Sequence, residues 1–211
     1  MKRFLLFLVI AFACINVNAQ TIDGIGKLHL EMSFKDVKAV FPKSLVRLKT
    51  NSKVKKVYKI NTYTPVKGHM CKDVRLFFYH DTLYAIYITK PPMILLNSLK
   101  LKYGEPTENY QRFSGHAFEI IGIFQYDYDD FIDGYFIDKT DVTDTYYEWN
   151  SGNPMAQCQF WHCIYKDKNG NLSSNDVFLV RNKIVAEMVH LEDKIIDKES
   201  EGERKKELEG L

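Results

Sequence analysis

Beyond its first nineteen residues the chain has no long apolar run, no excess of charge and few cysteines, and each shortage excludes something. A membrane-spanning helix needs about 20 apolar residues in succession, and no segment after residue 19 supplies them, so no transmembrane segment is expected. The whole chain carries 29 basic and 27 acidic residues. Lys2 and Arg3 are the charged residues among the first nineteen, so the remainder holds 27 of each sign. That balance gives no global argument for a nucleic-acid partner, and none is expected. The motifs Gly-x-Ser-x-Gly, His-Glu-x-x-His, Gly-x-Gly-x-x-Gly and the Walker loop are all missing from the sequence. With them goes the direct route to a hydrolase, zinc-protease or nucleotide-binding reading. No catalytic residue is assigned on sequence grounds, and no cofactor is expected.

What stands at the start is an export signal. Met1-Lys2-Arg3 precedes an apolar run from Phe4 to Ala13, and Val17-Asn18-Ala19 suits a signal peptidase. Residues 1–19 read as a signal peptide and the mature chain as beginning at Gln20, which predicts a periplasmic or secreted protein. The competing reading makes Cys14 the lipid-modified first residue of a lipoprotein. Three cysteines lie beyond the signal: Cys71, Cys158 and Cys163. An exported protein can form one disulfide. Cys158 and Cys163 lie on one expected strand, about 16 Å apart, too far to bridge each other. Either Cys71 pairs with Cys158 or Cys163, or all three are buried thiols.

The rest reads as one α+β domain over residues 20–190, with halves at 24–106 and 107–190, closed by a charged helix or tail at 191–211. Ser33 caps a short helix whose apolar face is Phe34, Val37, Val40 and Phe41, and Pro42 ends it. A strand is expected from Lys53 to Ile60, and a hairpin from Val74 to Ile88 turning near His80-Asp81-Thr82. A second helix spans Met93 to Lys102 and stops at Gly104 and Pro106. Strands are expected over Thr145–Trp149 and Ala156–Tyr165, and a last hairpin over Val177–Val189. Phe78–Ala85 aligns without gaps on Leu179–Ala186, which suggests two weak helix–strand–hairpin repeats. The fold expected is an antiparallel sheet with helices packed on one face.

Gly26-Lys27-Leu28-His29-Leu30-Glu31-Met32-Ser33, the hairpin Phe77–Tyr87 and Leu99–Pro106 resemble a group of small exported bacterial proteins. The group includes uncharacterised secreted proteins of Bacteroidetes. More distantly it is similar to the β-lactamase-inhibitor and outer-membrane-assembly lipoprotein folds. In the small exported proteins a strand-like Leu-x-x-Gly-Met-Ser leads into a helix, with Glu31 here in place of the Gly. The resemblance covers about residues 26–106 and implies a binding or structural role.

Four constellations invite a chemical reading. Cys158, His162 and Cys163 have metal-ligating side chains, but on one strand Cys158 and His162 sit about 13 Å apart and Cys163 points to the other face. Zinc holds its ligands at about 2.0–2.3 Å, so no metal site is expected from this set. His69 and Cys71 share a face as two metal ligands, too few for a site, and Cys71 is otherwise a candidate nucleophile with His69 or His80 as its base. Nine acids between Glu119 and Glu148, interleaved with aromatics, could bind a glycan or protein partner, with Tyr128, Asp129, Asp130 and Asp133 as the candidates; otherwise they form a solvated loop, a calcium site, or carboxylates working as acid and base. Nine cations from Lys43 to Lys72, with no acid between Asp36 and Asp73, are read as a surface for an anionic partner or as an edge strand protected by lysine. Lys55, Lys56 and Lys59 are its candidates. The function expected is a non-catalytic exported binding or envelope-associated module whose partner is an envelope protein or glycan. The alternative is a small secreted hydrolase using carboxylates within 127–148.

Overall fold

The computed structural model describes residues 21–50, 52–113, 142–150, 156–166 and 169–209. The chain is α+β, as expected, and every strand pairing among the described residues is antiparallel. A small ribbon comes first, β1 (Gly24–Ile25) with β2 (Leu28–His29), followed by helix α1 (Phe34–Val40). Then β3 (Leu45–Leu48), β4 (Lys55–Val66), β5 (His69–Tyr79) and β6 (Thr82–Thr89) form a meander. Helix α2 (Ile94–Tyr103) begins the second half, with β7 (Thr107–Phe113), β8 (Val142–Asn150), β9 (Ala156–Lys166) and β10 (Leu172–Asn182). Helix α3 (Lys183–Glu209) ends it.

Local chemistry explains several boundaries. Ser33 caps α1 by accepting the Asp36 N–H at 3.1 Å, while its hydroxyl donates to the Asp36 carboxylate at 2.6 Å. His80 and Asp81 both have positive φ, 45° and 62°, between the paired Tyr79 and Thr82. Two left-handed residues are what a tight hairpin twisted to match its strands requires. Gly26 turns the β1–β2 ribbon at φ 61°, and a Cβ there would run into the Tyr63 hydroxyl.

The strands join in one eight-stranded sheet of order β3-β4-β5-β6-β10-β9-β8-β7. Among the described residues each half has a helix followed by four strands paired in sequence order. The last strands of the two halves, β6 and β10, meet at the centre with Ile88 opposite Phe178 and Ile86 opposite Val180. The repeat is therefore visible in the order of elements, and its units divide at Pro91-Pro92 ahead of α2. The gapless hairpin alignment does not survive. Residues 177–182 are strand, but Lys183 onward is helix. The Asn182 side chain accepts the Val185 N–H at 3.2 Å, the bond of a helix cap. The run Ile184-Val185-Ala186-Glu187-Met188-Val189 is too uniformly apolar for its period to distinguish strand from helix. The final helix accordingly begins at Lys183, not at Leu191.

The helices also differ from expectation in placement. Val37 of α1 and Leu95, Leu96 and Leu99 of α2 pack on one face with Leu76, Phe78, Ile86, Cys158, Phe160 and Val180. Ala186 and Val189 of α3 pack on the other face with Val57, Phe77, Tyr84, Ala85 and Leu179. The middle of the sheet is covered on both sides, which is why β6 is buried without a break from Leu83 to Ile88.

Candidate functional site

The β3–β4 connection at the edge of the sheet holds a cleft of about 400 Å³ lined by Arg47, Leu48, Lys49, Thr50, Ser52, Lys53, Val54, Lys55 and Lys56. Its loop is held by short-range bonds. Thr50 Oγ1 accepts the Ser52 N–H at 3.1 Å, and Ser52 Oγ accepts the N–H groups of Val54 and Lys55 at 3.3 and 3.0 Å. Helix α3 reaches this loop from the far side of the sheet. Asp193 Oδ1 accepts the Lys53 N–H at 3.1 Å, and Asp197 lies 3.9 Å from Lys53 Nζ. Arg47 and Lys49 are exposed and have no ion pair among the described residues.

Alternation along β4 divides the three lysines singled out from sequence. Lys55 and Lys59 share the α3 face with Val57, and Lys56 lies on the opposite face with Tyr58. Lys55 is buried. Lys56 Nζ bonds Asp81 Oδ1 of the β5–β6 turn at 2.8 Å. Lys59 Nζ lies 3.2 Å from Asp73 Oδ1, and Arg75 grips the same carboxylate with Nε at 3.2 Å and Nη2 at 3.1 Å. The three do not form one exposed surface. Burial raises the Asp73 pKa, but the hydrogen bonds and charges of Arg75 and Lys59 outweigh it and hold the carboxyl below its ordinary value. Tyr79, at the start of the same hairpin turn, donates to Glu192 of α3 at 2.6 Å; that bond, with some burial, raises the phenol pKa.

A second cluster, not anticipated from sequence, ties the N-terminal ribbon to α2. Asp23 lies 2.9 Å from Lys102 Nζ and 3.3 Å from His29 Nδ1. Tyr103 donates to the Gly24 carbonyl at 2.8 Å, and Tyr63 donates to the Ile25 carbonyl at 2.8 Å while accepting the Lys27 N–H at 2.6 Å. Burial works against ionising Asp23, but Lys102 and His29 lower its pKa on balance. Asp23 and Lys102 lie 79 positions apart in the chain, so no local motif could reveal the cluster. Across β9 and β10, His162 Nδ1 meets Asp176 Oδ1 at 2.7 Å. This pair takes His162 out of any set with Cys158.

Cys71 and Cys158 are free, buried thiols, so the bridge from Cys71 to Cys158 or Cys163 is not formed. Cys71 is on β5, and Cys158 and Cys163 are on β9, three strand spacings or about 14 Å away. That exceeds the roughly 7 Å reach of a disulfide. Burial pushes the Cys71 thiol up to about 11 and raises Cys158 as well, leaving both neutral near pH 7 and poor nucleophiles. His69 is exposed at the start of β5. Residues 1–19 with Cys14, and Tyr128, Asp129, Asp130 and Asp133, lie outside the described residues. No helix among the described residues is long and apolar enough to cross a membrane. Comparison with protein-family models, with curated proteins and with solved structures finds no match.

Proposed function

We propose that this protein is an exported, non-catalytic binding module that engages an anionic envelope partner, an acidic glycan or an acidic protein segment, at the cationic cleft between β3 and β4. The observation that carries the reading is the pair Arg47 and Lys49, two exposed cations without an ion pair among the described residues, in the lining of a cleft that Lys53 and Lys56 also line. Unneutralised charge beside a concave surface attracts an opposite charge and raises the rate of encounter. Two further features support a docking role. β3 is a four-residue strand at the margin of the sheet, and its pairing of Leu48 with Val57 leaves the connection that forms the cleft at that margin. The loop is braced by Asp193 and Asp197 of α3, which helps to hold the cations in place. Export rests on Met1–Ala19, and the resemblance over residues 26–106 points the same way.

The test is retention of the mature chain on an immobilised acidic polysaccharide as salt is raised. The double variant Arg47→Glu, Lys49→Glu is expected to elute at much lower salt than the parent, with a thermal midpoint within about 2 °C of it, since exposed charges contribute little to stability. Equal elution of parent and variant would remove the cleft from the account.

A further inference from the structure

Helix α3 is apolar on two opposite sides. Ala186 and Val189 face the sheet and are buried. On the far side Ile184, Met188, Leu191 and Ile195 are 45%, 48%, 59% and 56% exposed. Their spacings of four, three and four place them on one narrow stripe at 100° per residue, turned about half a revolution from the sheet-facing residues. This is the seam spacing of paired helices, and it spans two heptads. Lys198 and Gly202 take the next two seam positions, so the apolar stripe ends at Ile195.

We propose that this stripe is a self-association surface, on which α3 of a second copy of the chain lies antiparallel about a two-fold axis. Charge beside the seam selects both the occupant and its direction. Glu187 and Lys194 flank the stripe on one side, and Glu192 and Glu199 on the other. A parallel pair would set Glu187 against Glu192 of the second copy, like charges at a partly desolvated seam. An antiparallel pair centred between Met188 and Leu191 sets Ile184 against Ile195 of the second copy and Met188 against Leu191. It also brings Glu187 beside Lys194 of the second copy, and the two-fold axis makes that contact twice. Glu187 and Lys194 are both exposed, and neither has an ion pair among the described residues of its own chain. The surplus of acid beside the stripe disfavours an anionic lipid surface as the occupant. The four side chains are each about half exposed, and so small a stripe buries less than a standard specific interface, so the association is weak and concentration-dependent. The stripe faces away from Asp193 and Asp197 at the cationic cleft, so pairing does not depend on anion binding there.

Sedimentation equilibrium of the mature chain from about 10 μM to 1 mM reads the association directly. A monomer–dimer equilibrium is expected, with Leu191→Glu monomeric throughout that range and unchanged in far-ultraviolet circular dichroism. The charge pair supplies the second arm. Glu187→Lys alone and Lys194→Glu alone are each expected to raise the dimer dissociation constant about tenfold, and the double exchange to restore it. A parent that stays monomeric at 1 mM overturns the proposal. So does a dimer that persists in Leu191→Glu, or one that the double exchange fails to restore. Co-sedimentation of the parent with vesicles containing anionic lipid, lost in Leu191→Glu, would assign the stripe to a membrane surface and overturn it equally.

Discussion

Asp73 is held by two cations, and its backbone at φ 55° is in the left-handed region. Asn tolerates that conformation better than most residues, so Asp73→Asn removes the charge with little backbone penalty. The variant is expected to be less stable by about 1 kcal/mol at pH 7, a figure reduced for the partial exposure of the ion pairs. The pH dependence has a definite sign. The Asp73 carboxyl titrates lower when folded than when unfolded, so its contribution is complete above the unfolded value near 4 and fades as pH falls through the folded value. Asp23 behaves in the same way. Denaturant unfolding between about pH 2 and 5 is therefore expected to show a shallower acid slope in Asp73→Asn and in Asp23→Asn than in the parent. Equal slopes would mean that Arg75, Lys59, Lys102 and His29 do not tune these carboxyls. Charge segregation was legible at this scale, since the absence of acid from residue 37 to residue 72 is plain in the sequence. The counter-ions were not, because Asp73 reaches Lys59 and Asp81 reaches Lys56 only through the β4–β5 register and the hairpin turn.

Among the elements, the junction between β10 and α3 separates what the sequence shows from what it hides. The capped helix at Ser33 and the hairpin about His80-Asp81 are readable because capping and turn chemistry are local. The change from strand to helix at Lys183 depends on Asn182 and on what the sheet offers to either side of an apolar run. Its energetics can be measured. Asn182→Ala removes the cap on Val185 and is expected to cost about 1 kcal/mol. Val189→Ala opens space between α3 and the sheet at a fully buried position and is expected to cost about 2 kcal/mol. Chemical denaturation of both variants checks the pair. A loss at Val189 no greater than at Asn182 would mean that α3 adheres through Glu192 and Asp193 rather than through its buried apolar face.

For the molecule as a whole, the joining of the halves at β6 and β10 decides where stability is concentrated. Each half alone would leave its last strand as an open edge, with unpaired backbone groups beside a continuous apolar run. Pairing the two edges satisfies those groups and places Leu83–Ile88 and Val177–Arg181 under helices or neighbouring side chains on both faces. The sheet margins differ, since β3 has four residues and two of them are exposed. Opening that margin exposes little apolar surface, whereas separating β6 from β10 breaks the core on both faces and requires nearly global unfolding. Native-state hydrogen exchange is therefore expected to give the slowest amides in β6 and β10, with protection approaching the full unfolding free energy. The amides of β3 should exchange through local opening at least a hundredfold faster, a difference of about 2.7 kcal/mol. If β3 and β6 were protected equally, the sheet would unfold as one unit from its margin, and the junction of the two halves would have no special place in holding the molecule together.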